Sequence, residues 1–287
     1  MRDVTSRLIS STILISVVLA TIFRGPLWLF AVVTTGFISV ALYEFFTMVR
    51  HRGILVHRPL SIALGVIFSI LVAWRAFGRT GHIPMPVVGE GASLLNWAWD
   101  IFWPVTIVII FLRQFTRQNT FEALSGLATT LFGLAYIGGL LSYIFYLRAF
   151  KSYDGVWLIV FLILVTKLGD VGAFLIGKVF GRHTLLARIS PRKTVEGFIG
   201  GALVSAATAA FAYPMVGRLS ASPVGGFFIG LLLGVFGQLG DLAESLIKRD
   251  CQVKDSGRLL PGLGGVLDVV DSLLFTAPLF YAFLIYG

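Results

Sequence analysis

The sequence predicts an all-α protein that crosses a membrane about nine times. Of its 287 residues, 57% are hydrophobic and only 13% are charged, whereas a soluble domain is roughly 45–50% apolar and about 25% charged. A soluble fold of this length could not bury so much apolar surface, because a large share of any folded surface faces water. The same composition excludes a disordered chain. We therefore expect a polytopic integral membrane protein without a soluble domain.

Apolar stretches long enough, or nearly long enough, for a membrane helix recur along the whole chain. A span needs about 20 predominantly apolar residues. The stretches lie at residues 8–23, 27–49, 59–77, 98–112, 124–147, 156–180, 196–216, 224–247 and 266–286. The first follows Arg2 and Arg7, as a signal peptide would, but it lacks a good cleavage site and more spans follow, so we interpret it as a helix. Pro104 leaves the bounds of the short fourth stretch open.

The basic residues predict how these helices are oriented. With nine spans and a cytoplasmic N-terminus, the cytoplasmic segments carry 16 lysines and arginines and the outer segments carry six, as the positive-inside rule requires. The two most basic loops, 178–193 and 248–258, then face the cytoplasm. Orientation and contact with anionic lipid or phosphate account for the net charge of +9. We therefore predict membrane lipid, and no nucleic acid, as a partner.

Ionisable residues within the hydrophobic segments distinguish two halves of the chain. In residues 1–150 the main one is Glu44, which we interpret as a capping or snorkelling carboxylate. Seven occur between residues 160 and 275: Lys167, Asp170, Glu196, Asp241, Glu244, Asp268 and Asp271. Such groups are costly in lipid and usually mark a functional site. We predict structural transmembrane helices in residues 1–150 and a catalytic transmembrane region in residues 151–287.

Acidic residues of the C-terminal region have helical spacing. Four polar residues at i, i+3, i+4 and i+7 share one helix face: Asp241, Glu244, Ser245 and Lys248. Asp268 and Asp271 share a face in the same way. Two facing helices would bring these carboxylates together, and carboxylates repel one another unless a cation or a proton neutralises them. Because this region offers oxygen ligands and no His or Cys, it favours a hard cation such as Mg²⁺.

A basic, glycine-rich loop, residues 248–265, separates these acidic groups. Lys248, Arg249 and Lys254 supply positive charge, and Gly264 and Gly265 would let the backbone approach a ligand closely. Basic side chains, free backbone N–H groups and a following helix N-terminus together form a phosphate cradle.

A second polar run precedes the span at 196–216. Ser190 and Pro191 mark a helix start or a turn, and Lys193 and Thr194 are expected in the first turn of the helix.

These runs resemble the motifs of phosphatidate cytidylyltransferases (CDP-diacylglycerol synthases). The C-terminal pattern is Ser245-Leu-Ile-Lys248-Arg249, then Lys254-Asp255-Ser256-Gly257, then Pro261-Gly262-x-Gly264-Gly265-x-x-Asp268-x-x-Asp271. Two further stretches match, Ser190-Pro191-x-Lys193-Thr194-x-Glu196-Gly197 and Gly240-Asp241-x-x-Glu244-Ser245. The resemblance covers residues 165–275. Because Leu263 and Val269 stand where the family usually has His and Arg, and Val171 where it often has a hydroxyl residue, we interpret the chain as a divergent member.

The resemblance implies transfer of CMP from CTP to phosphatidate, which gives CDP-diacylglycerol and pyrophosphate. The active site would lie on the cytoplasmic side of a bacterial inner membrane. Asp241, Asp268 and Asp271 would bind one or two Mg²⁺ ions, with Glu244 and Asp170 as further ligands. The residues expected to act on the phosphates are Lys193, Lys248 and Arg249. Those expected to bind substrate are Ser190, Thr194, Ser245, Lys254, Gly264 and Gly265. Since relatives are often dimeric, a homodimer is also expected.

Two alternatives remain open at the level of the sequence. One is a related CTP-using lipid enzyme, such as a polyprenol kinase or another CDP-lipid synthase. The other is an ion-coupled transporter, in which Lys167 and the intramembrane carboxylates would form a relay. Because the carboxylates gather near one face beside basic, glycine-rich loops, phosphate chemistry is favoured.

Overall fold

The computed structural model describes residues 2–78, 94–116, 122–150, 154–216, 223–260 and 264–286. Most of these residues are helical, and eight helices among them are long and apolar enough to cross a membrane. The chain is an all-α polytopic membrane protein, as predicted. It divides into two compact units, Met1–Ala149 with Ser256–Leu267, and Phe150–Asp255 with Asp268–Gly287. The assignment of catalysis to the C-terminal half remains a prediction.

The described part of the first unit contains six α-helices: α1 (Arg2–Arg24), α2 (Leu27–His51), α3 (Arg58–Gly78), α4 (Leu94–Phe115), α5 (Ala123–Gly133) and α6 (Tyr143–Arg148). A π-helical stretch, Leu134–Gly139, follows α5, and Ala123–Arg148 together form one candidate span. The predicted stretch 98–112 was too short at both ends, and Pro104, which left its bounds open, lies inside α4 without ending the helix. Neighbouring helices and local adjustments make such a proline tolerable in a membrane helix.

Aromatic and branched side chains fill the core of this unit. The Phe68 ring on α3 lies 5.0–5.6 Å, between centroids, from the rings of Trp99, Phe102 and Trp103 on α4. Leu64, Ile110, Leu127 and Leu134 form a further buried cluster that joins α3, α4 and α5. Close packing of these side chains holds the helices together where lipid offers no hydrophobic driving force.

The second unit contains α7 (Gly155–Phe180), β1 (Thr184–Leu186), β2 (Ser190–Thr194), α8 (Val195–Ala212) and α9 (Pro223–Asp250). The last helix, α10 (Val266–Tyr286), belongs to this unit from Asp268 onward. A short 3-10 turn, Tyr213–Val216, ends the predicted stretch 196–216. The first predicted span, 8–23, lies within α1. The part of α1 whose side chains are described, Ser11–Arg24, is apolar but shorter than a membrane span.

The prediction that Lys193 lies in the first turn of a helix was wrong. Ser190–Thr194 forms a strand that pairs antiparallel with β1. The helix begins only at Val195, and the Thr194 hydroxyl caps it by accepting a hydrogen bond from the Gly197 N–H at 3.1 Å. A Ser-Pro pair is compatible with a turn or a helix start, and only the pairing with β1 selects the strand.

Small residues let α7, α8 and α9 approach one another closely. A Cβ added at Gly201 would lie 2.6 Å from the Ala173 Cβ, and one at Gly234 would lie 2.7 Å from the Ser205 Cβ. The Ser205 hydroxyl also donates to the Val165 carbonyl at 3.0 Å. Interfaces of this kind are typical of membrane helices, which pack through small residues and interhelical hydrogen bonds. They hold in place the helices that carry the acidic residues described next.

Candidate active site

Three carboxylates of α9 and α10 converge within the second unit. One ligand oxygen from each of Asp241, Glu244 and Asp271 lies within 4.8 Å of the others. The i, i+3 spacing places Asp241 and Glu244 on one face of α9, as predicted. Gly240 makes the meeting with α10 possible, since a Cβ there would lie 2.6 Å from the Asp271 carbonyl oxygen.

Glu244 is the most deeply buried of these acids. Its side chain is fully buried, and its Oε1 has no hydrogen-bond donor among the described residues. Asp271 is only 6% exposed. Burying carboxylates without compensation is costly, so this oxygen-only group suits a hard divalent cation. Among the described residues, these three acids form the group that could hold such an ion.

Lys248 bridges two of the acidic residues. Its Nζ lies 2.5 Å from Glu244 Oε2, one turn away on α9, and 2.6 Å from Asp268 Oδ1 on α10. Asp268 was predicted as a metal ligand, but it lies outside the converging group and pairs with this lysine instead. Its role as a ligand remains a prediction.

Two further basic residues, Lys193 and Arg249, lie beside α9. The Nζ of Lys193 on β2 lies 2.6 Å from Asp241 Oδ2. The Nε of Arg249, near the end of α9, donates to the Ile189 carbonyl at 3.1 Å and so ties the β1–β2 hairpin to α9. The hairpin therefore places Lys193 beside the acidic group.

Lys167 forms a network that the sequence did not predict. Its Nζ lies 3.3 Å from Asp170 Oδ2, 4.0 Å from Asp271 Oδ1 and 2.8 Å from the Ser272 hydroxyl. The Ser272 hydroxyl in turn donates to Asp170 at 3.2 Å. The i, i+3 spacing of Lys167 and Asp170 was a signal for their pairing, but no local pattern linked either residue to Ser272. Asp170 therefore joins the site through Lys167 and not as a member of the converging group.

The other predicted substrate-binding residues of the second unit lie on different elements. The Ser245 hydroxyl donates to Asp241 Oδ1 at 3.4 Å. Ser190 lies on β2, next to the exposed Pro191, and Thr194 caps α8. Lys254 is exposed in the loop that follows α9. Contact of these residues with substrate remains a prediction.

Gly264 and Gly265 belong to the first unit. Gly264 has a φ of 95°, which a glycine adopts readily. A Cβ at Gly265 would lie 2.5 Å from Glu44 Oε2. A side chain at position 265 would therefore collide with Glu44, a contact that the sequence did not predict. The approach of Gly265 to a ligand remains a prediction. Leu263, one of the departures from the family pattern, lies outside the described residues.

A sequence model of the cytidylyltransferase family matches residues 5–286. The chain belongs to the cytidylyltransferase family. It is 33% identical to a phosphatidate cytidylyltransferase of Bacillus subtilis, over 98% of this chain and 97% of that protein. It is 32% identical to the phosphatidate cytidylyltransferase of Synechocystis, over 98% and 96%. It is also 30% identical to the uncharacterized protein YnbB of Escherichia coli, over 92% and 82%.

Membership of the cytidylyltransferase family bears on the alternatives left open by the sequence. The chain is an enzyme of the nucleotidyltransferase class, as the motifs predicted. Membership in this enzyme family favours phosphate chemistry over an ion-coupled transporter.

Proposed function

We propose that this chain is a phosphatidate cytidylyltransferase that converts CTP and phosphatidate into CDP-diacylglycerol and pyrophosphate. The observation that carries the proposal is the convergence of Asp241, Glu244 and Asp271 beside Lys193 and Lys248. Acids that can hold a cation, next to lysines that can bind phosphate, are what transfer between two anionic substrates needs. The names of the relatives from Bacillus subtilis and Synechocystis support phosphatidate as the acceptor.

The reaction requires positioning and charge neutralisation more than proton transfer. A phosphate oxygen of phosphatidate attacks the α-phosphorus of CTP, the new P–O bond forms, and the bond to the β-phosphate breaks to release pyrophosphate. A phosphate monoester has a second pKa of about 6, so the attacking oxygen is already ionised at neutral pH. Lys193 and Lys248 would bind phosphate oxygens as they exchange part of their pairing with Asp241 and Asp268.

The acidic group fits a divalent cation, for which we propose Mg²⁺. Asp241, Glu244 and Asp271 would hold it, because the buried Glu244 Oε1 has no donor among the described residues. Such an ion supplies neutralisation of phosphate charge and polarisation of the attacked phosphorus. Lys167 would keep Asp170 and Asp271 partly neutralised, and the Ser272 N–H would orient Asp271 through the bond it donates at 2.6 Å.

The proposed setting is a bacterial cytoplasmic membrane, with the site on the cytoplasmic side, where soluble CTP meets a lipid headgroup. The acyl chains of phosphatidate would enter sideways between helices. Large apolar side chains of the second unit, such as Phe174 on α7 and Phe211 on α8, are exposed and suit contact with lipid. A homodimer, which the resemblance implies, is part of the same proposal.

The test is pyrophosphate release by the purified chain in detergent, with CTP, phosphatidate and Mg²⁺. We expect release that depends on both substrates and that EDTA abolishes. Asp271→Asn should lower the rate by about 100-fold or more, equivalent to about 2.7 kcal/mol of barrier, because it removes a charged ligand.

The matched control for this test is Asp154→Asn. Asp154 lies at the N-cap of α7, outside the acidic group, and Asn is an equally good N-cap, so this variant should retain the wild-type rate. Folded wild-type protein that releases no pyrophosphate with phosphatidate, but releases it with another lipid phosphate or forms CDP from CTP with a polyprenol, would contradict the proposed substrate.

A further inference from the structure

Glu44 is a buried acid of the first unit that the proposed chemistry does not use. It lies on α2, far along the chain from the acidic group, and is 2% exposed. Its neighbours in sequence, Phe45 and Phe46, are among the largest fully buried side chains. A carboxylate in such surroundings needs hydrogen-bond donors.

The donors come from a segment more than 200 residues later in the chain. Glu44 Oε1 accepts from the Val266 N–H at 3.0 Å, and Oε2 accepts from the Leu267 N–H at 2.8 Å. The Ser256 hydroxyl donates to Oε2 at 3.2 Å. All of these residues belong to the first unit. The Glu44 carboxylate is therefore fully engaged with the segment that leads into α10.

Two glycines leave room for the Glu44 carboxylate next to the backbone. A Cβ at Gly265 would lie 2.5 Å from Glu44 Oε2, and a Cβ at Gly257 would lie 2.7 Å from the Glu44 Cδ. Either side chain would push Glu44 away from its donors. Gly265, which was predicted to admit a ligand, thus also admits this carboxylate.

The bonds to Val266 and Leu267 cap the N-terminus of α10. The first N–H groups of a helix have no partner within the helix, and a carboxylate placed there satisfies them and is favoured by the helix dipole. Capping residues are usually next to the helix in sequence, whereas here the cap comes from α2. It holds the first turn of α10 in its helical conformation.

The capped turn contains Asp268, the first acidic residue of α10. Asp268 follows Leu267, and Asp271 lies one turn further on. Because each helical residue turns the chain by about 100°, fraying or rotation of the first turn would redirect both carboxylates. Asp271 belongs to the converging group and Asp268 holds Lys248, so both depend on how α10 begins.

We propose that Glu44 is a positioning residue that, by capping α10, sets the direction of Asp268 and Asp271 and so tunes the affinity of the site for its divalent cation. This inference rests on the proposed metal-dependent function. Residues that orient metal ligands without touching the metal typically change its affinity by 10–100-fold when mutated.

The test measures Mn²⁺ binding to the purified chain in detergent, from the free Mn²⁺ signal in electron paramagnetic resonance, without any substrate. Glu44→Gln keeps the size of the side chain but turns an amide N–H₂ toward backbone donors. We expect its Mn²⁺ affinity to fall by about tenfold, and the Mg²⁺ concentration that gives half-maximal pyrophosphate release to rise by a similar factor. High Mg²⁺ should restore most of the rate.

Two further variants keep the test decisive if Glu44→Gln folds poorly. Ser256→Ala removes one of the three donors and leaves the helix cap, so its Mn²⁺ affinity should lie between those of wild type and Glu44→Gln. Gly36→Ala is the matched control on α2, because a Cβ there meets nothing within 4 Å, and it should bind Mn²⁺ as the wild type does.

A purely structural Glu44 would give a different result. The yield of folded protein would fall, while the folded fraction of Glu44→Gln and of Ser256→Ala would bind Mn²⁺ with wild-type affinity, and this outcome would overturn the inference. Failure of the proposed function is distinguishable, because it would appear as wild-type protein that binds Mn²⁺ but releases no pyrophosphate from CTP and phosphatidate.

Discussion

At the scale of single residues, Lys167 is the cation nearest to both Asp170 and Asp271 among the described residues. It lies within a membrane-spanning helix, where an unpaired ammonium group would be costly. Its pairing with two acids and with Ser272 accounts for its presence there. The positive charge of Lys167 lowers the repulsion between Asp271 and the other carboxylates of the site.

Lys167→Met should therefore weaken the enzyme without unfolding it. The side chain of Lys167 is 35% exposed, so it is not part of the buried core and its replacement should leave the packing intact, but Asp170 and Asp271 would lose their shared cation. We expect pyrophosphate release to fall by about tenfold or more, which is about 1.4 kcal/mol of barrier. Steady-state rates at saturating CTP, phosphatidate and Mg²⁺ measure this.

Lys178→Met is the control for this variant, because Lys178 lies on the same helix and is exposed. It should retain the wild-type rate. Equal rates for wild type and Lys167→Met would show that the pairing of Lys167 has no part in the reaction.

The spacing of the acidic residues predicted only part of the candidate site. Spacing correctly placed Asp241 and Glu244 on one face, since that depends only on the helix period. It could not separate the acids that converge from Asp170 and Asp268, which lie outside the converging group. That distinction depends on how closely the helices approach and how each is rotated, and packing decides it.

At the scale of elements, the contact between α9 and α10 depends on Gly240. The backbone of α10 lies so close that any side chain at this position would meet the Asp271 carbonyl. Asp241 and Asp271 are the residues that this close approach brings together. The glycine is therefore a requirement of the acidic site as well as of the packing.

Gly240→Ala should destabilise the protein and misalign the acids. An added methyl group in a tightly packed interface costs about 1–3 kcal/mol, so we expect a lower unfolding temperature in detergent and weaker Mn²⁺ binding. Gly36→Ala, with open space around its Cβ, should leave both properties unchanged. If Gly240→Ala matched the Gly36→Ala variant in both measurements, the close contact of α9 with α10 would be disproved.

The β1–β2 hairpin is the element that the sequence misplaced. The run from Ser190 to Thr194 contains signals for a turn and for a helix cap, and the cap at Thr194 is present. Strand pairing over Ser190–Thr194 arises from contact with β1, which a local pattern does not reveal. This pairing places the Lys193 side chain beside Asp241.

At the scale of the whole molecule, the charge distribution predicts the side of the membrane on which each loop lies. Asp154 precedes α7 and Arg188 lies in the β1–β2 turn that follows it, and both are exposed. The positive-inside rule assigns the basic 178–193 loop to the cytoplasm, so the residue before α7 should lie outside.

Cysteine labelling tests this orientation. With Cys251, which is buried, replaced by Ser, Asp154→Cys should react with a membrane-impermeant maleimide in intact spheroplasts. Arg188→Cys should react only after the membrane is permeabilised. The reverse pattern would invert the topology and place the candidate active site on the outer side.

The sequence by itself determined that the chain is a membrane protein, approximately where its helices lie, and to which family it belongs. These features follow from local properties, namely the length and apolarity of each stretch, the helical spacing of charges and the order of motif residues. Eight predicted spans accordingly correspond to helices of the structure that are long enough to cross a membrane.

Only the tertiary structure decided which side chains act together. It brings Asp241, Glu244 and Asp271 into one group, pairs Lys167 with Ser272, and places Glu44 against the start of α10, 222 residues away from Val266. The physical reason is that such contacts depend on how closely separate helices approach and how each is rotated. Small residues such as Gly240 and Gly265 permit that approach, and a single sequence does not state which helix they will face.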